Sequence, residues 1–174
     1  MSNHTHHFQD INWNTWVPRE KATLLFIIRN DLILLIHKKR GLGAGKINGP
    51  GGRIEEGETP QEAAIREVEE ELLVTPTGVS SCGELSFQFV DGHAIHVFVF
   101  AAEACSGNPQ ETEEAIPAWT PVTKIPYDCM WEADRLWLPL LLQGKNFKGQ
   151  FLFEGDTLIG HNLFSNAETN LTME

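Results

Sequence analysis

The segment from Gly52 to Val74, GRIEEGETPQEAAIREVEEELLV, constrains this chain more than any other stretch. Five residues separate Gly52 from Glu58 and seven separate Glu58 from Arg66-Glu67-Val68, with Glu70-Glu71 close behind. Thr59-Pro60-Gln61-Glu62 is a helix start: Thr as N-cap, Pro at the first helical position, and Glu to close a capping box. From there to Leu72 no further Pro or Gly intervenes. At about 100° per residue, Ala64, Ile65, Val68 and Leu72 share one arc, which would pack on a core. Glu67, Glu70 and Glu71 share the neighbouring arc, while Glu62, Arg66 and Glu69 lie further round. Like charges three and four residues apart on a helix cost a few tenths of a kcal/mol each. A hard divalent cation that prefers carboxylate oxygens would reverse that sign. Taken alone, an EVEEE run reads as a solvated acidic face; the spacing around it is what makes it special.

The remaining sequence organises around that helix as one α/β domain with a mixed sheet. Thr23–Arg29 and Leu32–Lys38 flank Asn30-Asp31, a tight-turn hairpin signal. Val79–Val90 and His93–Ala102 flank Asp91-Gly92, and Lys148–Phe153 and Thr157–Asn162 flank Gly155-Asp156. Six glycines between Gly41 and Gly52 make a flexible connection into the helix. Residues 103–112 read as a polar loop. Tyr127–Gln143 reads as a loop entering a helix that Pro139 bends or ends. The ends, 1–20 and 165–174, are polar and expected to be loosely held, leaving a domain over 21–164. His4, His6 and His7 are close enough for adventitious metal binding, with a mobile tail the simpler reading.

Net charge decides which partners are excluded. At −11 the chain has no basic stripe to neutralise a nucleic-acid polymer. A small polyphosphate arriving with a cation remains compatible, steered by Lys38, Lys39, Arg40 and Lys46. No apolar run approaches a membrane span, and the polar N-terminus lacks the apolar stretch of a signal peptide. Cys82, Cys105 and Cys129 are odd in number and lack metal or redox spacing, which suits reduced thiols in the cytoplasm. No feature calls for a second subunit, and a monomer is expected.

The segment matches the Nudix box, G-x5-E-x7-R-E-U-x-E-E-x-G-U with U aliphatic, everywhere except Leu73, where the family has Gly. Leu73 must either accept a left-handed conformation or let the helix run on toward Pro76. KKRGLGAGKINGPGG before the box, and AWTPVTKIPYDCMWEADRLWLPLLLQGKNFKGQFLFEGD after it, resemble the MutT-homologue branch of Nudix hydrolases, which sanitises oxidised purine nucleotides. That resemblance implies a Nudix fold, an α/β/α sandwich with a mixed sheet. It implies hydrolysis of a nucleoside triphosphate to the monophosphate and pyrophosphate with Mg²⁺, for which Mn²⁺ can substitute. By the same resemblance Gly51, Glu67, Glu70, Glu71 and Glu114 hold the metal. Glu71 is the expected base, Glu67 a ligand, and Arg66 the partner that orients the box glutamates. Asn48, Phe87, Trp131, Asp134, Thr23 and Lys38 fall at nucleotide-contacting positions, although each also has an ordinary reading as a turn, core, strand or surface residue.

Departures bear on the base that is read. Where the branch has two adjacent aspartates this chain has Ala133-Asp134, preceded by Glu132, and Leu42, Ile47 and Pro50 replace aromatic residues. The alternatives are therefore a Nudix enzyme for unmodified dNTPs or another nucleoside diphosphate derivative, and a catalytically silent binding module. The crowded glutamates argue against the last.

Overall fold

The computed structural model describes residues 7–165. Eight strands and two helices form a mixed sheet covered on both faces. The strands are β1 (Glu20–Arg29), β2 (Leu32–Lys38), β3 (Ile47–Asn48), β4 (Thr75–Phe89), β5 (Ala94–Ser106), β6 (Ala115–Pro121), β7 (Phe147–Glu154) and β8 (Thr157–Ser165). They run in the order β3-β2-β1-β5-β4-β7-β8, with β6 paired to β2. β1 pairs parallel with β5, and β4 parallel with β7; the hairpins and the β2–β6 pair are antiparallel.

The expected turns are all present. Asn30 and Asp31 both take positive φ, 53° and 63°, which twists a two-residue turn to match its strands. Helix α1 (Pro60–Leu72) starts at the Thr59 capping box, whose two hydrogen bonds are both formed. It buries Ala63, Ala64, Val68, Glu71 and Leu72, of which Ala64, Val68 and Leu72 pack with Leu25, Ile27, Leu34, Ile36 and Phe100. Helix α2 (Asp134–Leu142) lies in the other layer, where Trp137, Leu138 and Leu141 pack with Phe26, Leu85 and Phe151. The sandwich follows from these two separate cores.

Four details differ from the sequence reading. β5 runs to Ser106, taking in the start of the presumed loop, because Thr75–Thr77 offers it a partner edge. β6 forms although two prolines bound its middle, since β2 supplies a full row of partners from Leu32 to Lys38. Of the two outcomes expected at Pro139, it does not end α2 but sits inside it, and the helix continues three residues further. Burial of Trp137, Leu138 and Leu141 offsets the missing N–H. Residues 7–16 are not loose: Trp13 and Trp16 rings meet at 5.3 Å, and Trp16 Nε1 donates to Gln88 Oε1 at 2.8 Å. Phe8 covers Gly160, where a Cβ would lie 2.3 Å from the Phe8 Cβ. His4, His6 and the tail 166–174 lie outside the described residues.

Candidate active site

Helix α1 presents its acidic arc to the glycine pair that ends the long connection. Gly51 N–H donates to Glu71 Oε1 at 3.0 Å. An ideal Cβ at Gly52 would lie 2.4 Å from the Glu67 carboxyl carbon, and one at Gly51 1.9 Å from the Thr23 carbonyl oxygen. At Gly51 a side chain would meet backbone, and at Gly52 it would push the Glu67 carboxylate aside, which is the local reason for glycine at both. Thr23 N–H in turn donates to the Gly52 carbonyl, tying the pair to β1.

Arg66 explains the spacing of the box. Its Nε and Nη2 form a two-pronged pair with Glu58 at 2.6 and 2.9 Å, and Nη1 reaches Glu67 at 3.0 Å and Glu70 at 3.2 Å. Nη2 also donates to the Arg53 carbonyl. Hydrogen bonding from Arg66 holds the Glu58 carboxyl below the usual range. The guanidinium fork thus anchors the loop before α1 and fixes the direction of Glu67.

Glu67, Glu71 and Glu114 each offer a carboxylate oxygen within 4.8 Å of the others. Glu114 comes from the chain entering β6, and the β2–β6 register, with Lys38 opposite Ala115, delivers it there. Arg40 Nη2 is 3.1 Å from its Oε1. Burial pushes the Glu71 carboxyl up to about 8, opposed by the Gly51 N–H and reinforced by the charges of Glu67 and Glu114. Burial also raises Glu67, partly countered by Arg66. Three converging carboxylates, one of them 3% exposed, fit a hard divalent cation in charge and in oxygen donors. Glu70 lies outside this trio, half-exposed and turned to Arg66. Gly51 meets the trio through its N–H.

Beside the carboxylates opens a cavity whose lining contains all six expected nucleotide-contacting residues: Thr23, Lys38, Asn48, Phe87, Trp131 and Asp134. Glu71, Gly51 and Gly52 line it too, so the acidic group and the cavity are continuous. Asn48 Nδ2 is buried and has no hydrogen-bond partner among the described residues. Asp134 is 7% exposed and accepts from Trp137 Nε1 at 3.1 Å. Burial pushes its carboxyl up to about 7, against the pull of the Trp137 hydrogen bond and the Lys46 charge. Lys46 Nζ sits 5.1 Å from the Trp131 ring centroid and 3.3 Å from Asp156. Glu132 does not reach the cavity and accepts from the Leu158 N–H.

The sequence reading missed two aromatic walls. Phe89 and Phe153 stack at 5.5 Å, and Trp131 meets both edge-on at 6.0 and 5.4 Å. Period-two alternation was the available signal, since Phe89 follows Phe87 on the same face and Phe153 follows Phe151.

A model of the NUDIX domain matches residues 18–141 of this chain. The chain belongs to the Nudix family. It is 41% identical over 143 residues to the oxidized purine nucleoside triphosphate hydrolase of Danio rerio, covering 81% of this chain and 92% of the relative. The Mus musculus protein of the same description is 40% identical over the same shares. The crystal structure of the mutator MutT protein from Bacillus halodurans shares the fold, with a TM-score of 0.75 and 24% identity over 83% of this chain and 97% of that one. Nudix hydrolases act on small nucleotide substrates and generally use a divalent metal, which accords with the carboxylate group. Leu73, the Nudix glycine position, takes the left-handed conformation with φ 60° and ψ 34°. The helix therefore ends on schedule and Leu73 bears the strain.

Proposed function

We propose that this protein hydrolyses oxidised purine nucleoside triphosphates, of the 8-oxo-dGTP type, to the monophosphate and pyrophosphate. The observation that carries the reading is the continuity of a buried carboxylate group with an aromatic cavity holding an unpaired amide donor. The names of the vertebrate relatives, 40 and 41% identical across most of the chain, support the same substrate class.

Glu67, Glu71 and Glu114 would hold Mg²⁺, or Mn²⁺ in its place, with Glu70 and the Gly51 carbonyl as proposed further ligands once Glu70 exchanges its Arg66 partner. Bound there, the cation would neutralise phosphate oxygens and favour departure of pyrophosphate. Glu71 takes the proton of the attacking water, its Oε1 held toward the glycine pair by the Gly51 N–H. Arg66 keeps Glu67 directed at the same point. Lys38, on the cavity wall, draws the phosphates in. Trp131 and Phe87 flank the purine, and Thr23 closes the wall next to Gly52. Asn48 Nδ2 donates to an acceptor on the base edge, ending its unpaired state. Asp134, its carboxyl raised by burial, donates to the same edge when protonated and accepts from it when ionised.

One observation favours a second reading, an unmodified purine dNTP or another nucleoside diphosphate derivative. The cavity's base end holds a single carboxylate, with Ala133 fully buried and Glu132 engaged elsewhere. Comparing kcat/KM for 8-oxo-dGTP and dGTP, with pyrophosphate detected, separates the two. A preference of about tenfold or more for the oxidised base supports the first; equal rates select the second, and release of inorganic phosphate alone contradicts both. Free Cys82, Cys105 and Cys129 support a reducing cytoplasmic setting. No helix among the described residues is long and apolar enough to cross a membrane. We take the working unit to be a monomer, which sedimentation of the full chain would check.

A further inference from the structure

The last carbonyls of a helix have no partner within it, and a buried end must find one elsewhere. In α1 two of these are met by one distant segment. Gln110 N–H donates to the Leu72 carbonyl at 2.9 Å, and Thr112 Oγ1 donates to the Glu71 carbonyl at 2.7 Å. The same hydroxyl oxygen accepts the Glu114 N–H at 3.2 Å, while Thr112 N–H donates to the Ala115 carbonyl at 3.0 Å. One hydroxyl therefore joins the backbone of Glu71 to the backbone of Glu114, forty-odd residues apart in sequence. These are two of the three carboxylates that converge within 4.8 Å.

We infer that Thr112 is a positioning residue for the metal site, its hydroxyl setting Glu114 against Glu71 by bridging the two backbones. The segment carrying Glu114 has other ties, the Lys39 N–H to the Glu114 carbonyl and the Arg40 side chain to its carboxylate. Both run to the end of β2 and away from α1. Gln110 ties the start of this segment to the end of α1, but of the hydrogen bonds at Glu114 itself the Thr112 bridge is the one, among the described residues, that runs to the helix. A carboxylate that can swing away enters a shared site with its negative charge poorly placed, and affinity for the cation falls accordingly.

The inference rests on the reading that Glu67, Glu71 and Glu114 hold a divalent cation. The test is Mn²⁺ affinity of the full chain, measured from the free-ion electron paramagnetic resonance signal, at a temperature where every variant is folded by circular dichroism. Thr112→Val keeps the shape and removes the hydroxyl; Thr112→Ser keeps the hydroxyl. The expectation is that Thr112→Val weakens Mn²⁺ binding about tenfold, one lost charge-positioning hydrogen bond, and that Thr112→Ser stays within about twofold. In a Glu114→Gln background Thr112→Val should have no further effect on affinity, because the residue through which it acts is gone. A purely structural cap would instead lower thermal stability in both backgrounds and leave affinity alone. Wild-type affinity in Thr112→Val, or an equal loss with and without Glu114, overturns the inference. Failure of the wild-type chain to bind Mn²⁺ at all overturns the metal reading itself.

Discussion

Two buried carboxylates, Glu71 and Asp134, line one cavity, and burial raises both. They differ in what would relieve them. Glu71 stands among Glu67 and Glu114, so further negative charge adds to its burden and a cation is the natural remedy. Asp134 stands among the Trp137 Nε1–H donor, the Trp131 backbone and the Lys46 charge, and no second carboxylate raises it among the described residues. A proton suffices there. Similar burial thus prepares one end of the cavity for metal chemistry and the other for hydrogen-bond recognition; the neighbours decide.

The sharpest contrast should come from removing one charge at each end. Glu67→Gln should lower kcat by about a thousandfold while leaving affinity for 8-oxo-dGMP, measured by calorimetry without metal, nearly unchanged. Loss of product affinity in that variant would mean the two ends are not separable.

The pH dependence of stability in metal-free protein comes next. Both folded-state values lie above the unfolded ones, so the native state holds protons that the unfolded chain has released. Stability is then greatest below the unfolded values and falls as pH rises, toward about 8 for Glu71 and about 7 for Asp134. The slope is at most roughly 1.4 kcal/mol per pH unit for each group. Saturating Mg²⁺ should flatten the Glu71 part alone, as should Glu71→Gln, leaving the Asp134 part in place. Thermal melts from pH 5 to 9 with and without Mg²⁺ test this, and an Mg²⁺-independent slope would refute the division.

Asp134→Asn should act on recognition: a fall of about ten- to a hundredfold in kcat/KM for 8-oxo-dGTP, carried mainly by KM. A fall confined to kcat would assign Asp134 to the chemistry. The smallest effect lies away from both ends. Leu73→Gly should raise stability by about 1 kcal/mol, read as a melting temperature higher by a few degrees, since Leu73 is 56% exposed and has little packing to lose.

The two ends were also unequally legible in the sequence. The carboxylate helix is local: its cap, its spacing and its arginine all fall within about twenty residues, so Thr59, Arg66, Glu67 and Glu71 could be placed by periodicity and motif alone. The cavity is assembled from β1, β2, β3, β4, β5 and β7, the glycine-rich connection, and the chain entering α2, with Glu71 of α1 at its edge. Its nucleotide-contacting positions are legible only by resemblance, and Phe89 and Phe153 carry no local mark, because a phenylalanine in a strand looks the same whether it faces a core or a ligand. Glu114 is legible by resemblance, but the hydroxyl that ties it to α1 is not, since no spacing connects Thr112 with the carbonyl of Glu71. β6 was hidden for a similar reason: Ala115–Pro121 has poor strand composition and is held by a partner far upstream.

The parallel pairing of β1 with β5 has a kinetic side. Joining Glu20 to Ile95 requires a long chain excursion to close, and the entropy of closure is spent before the contacts reward it. The α1 turn can form from neighbours in sequence, whereas the wall between β1 and β4 must wait for that closure. In refolding, helical circular dichroism should accordingly lead, and the fluorescence of Trp131 and Trp137 should lag. The chain thus acquires its charges in helical order first and a place to receive a base last.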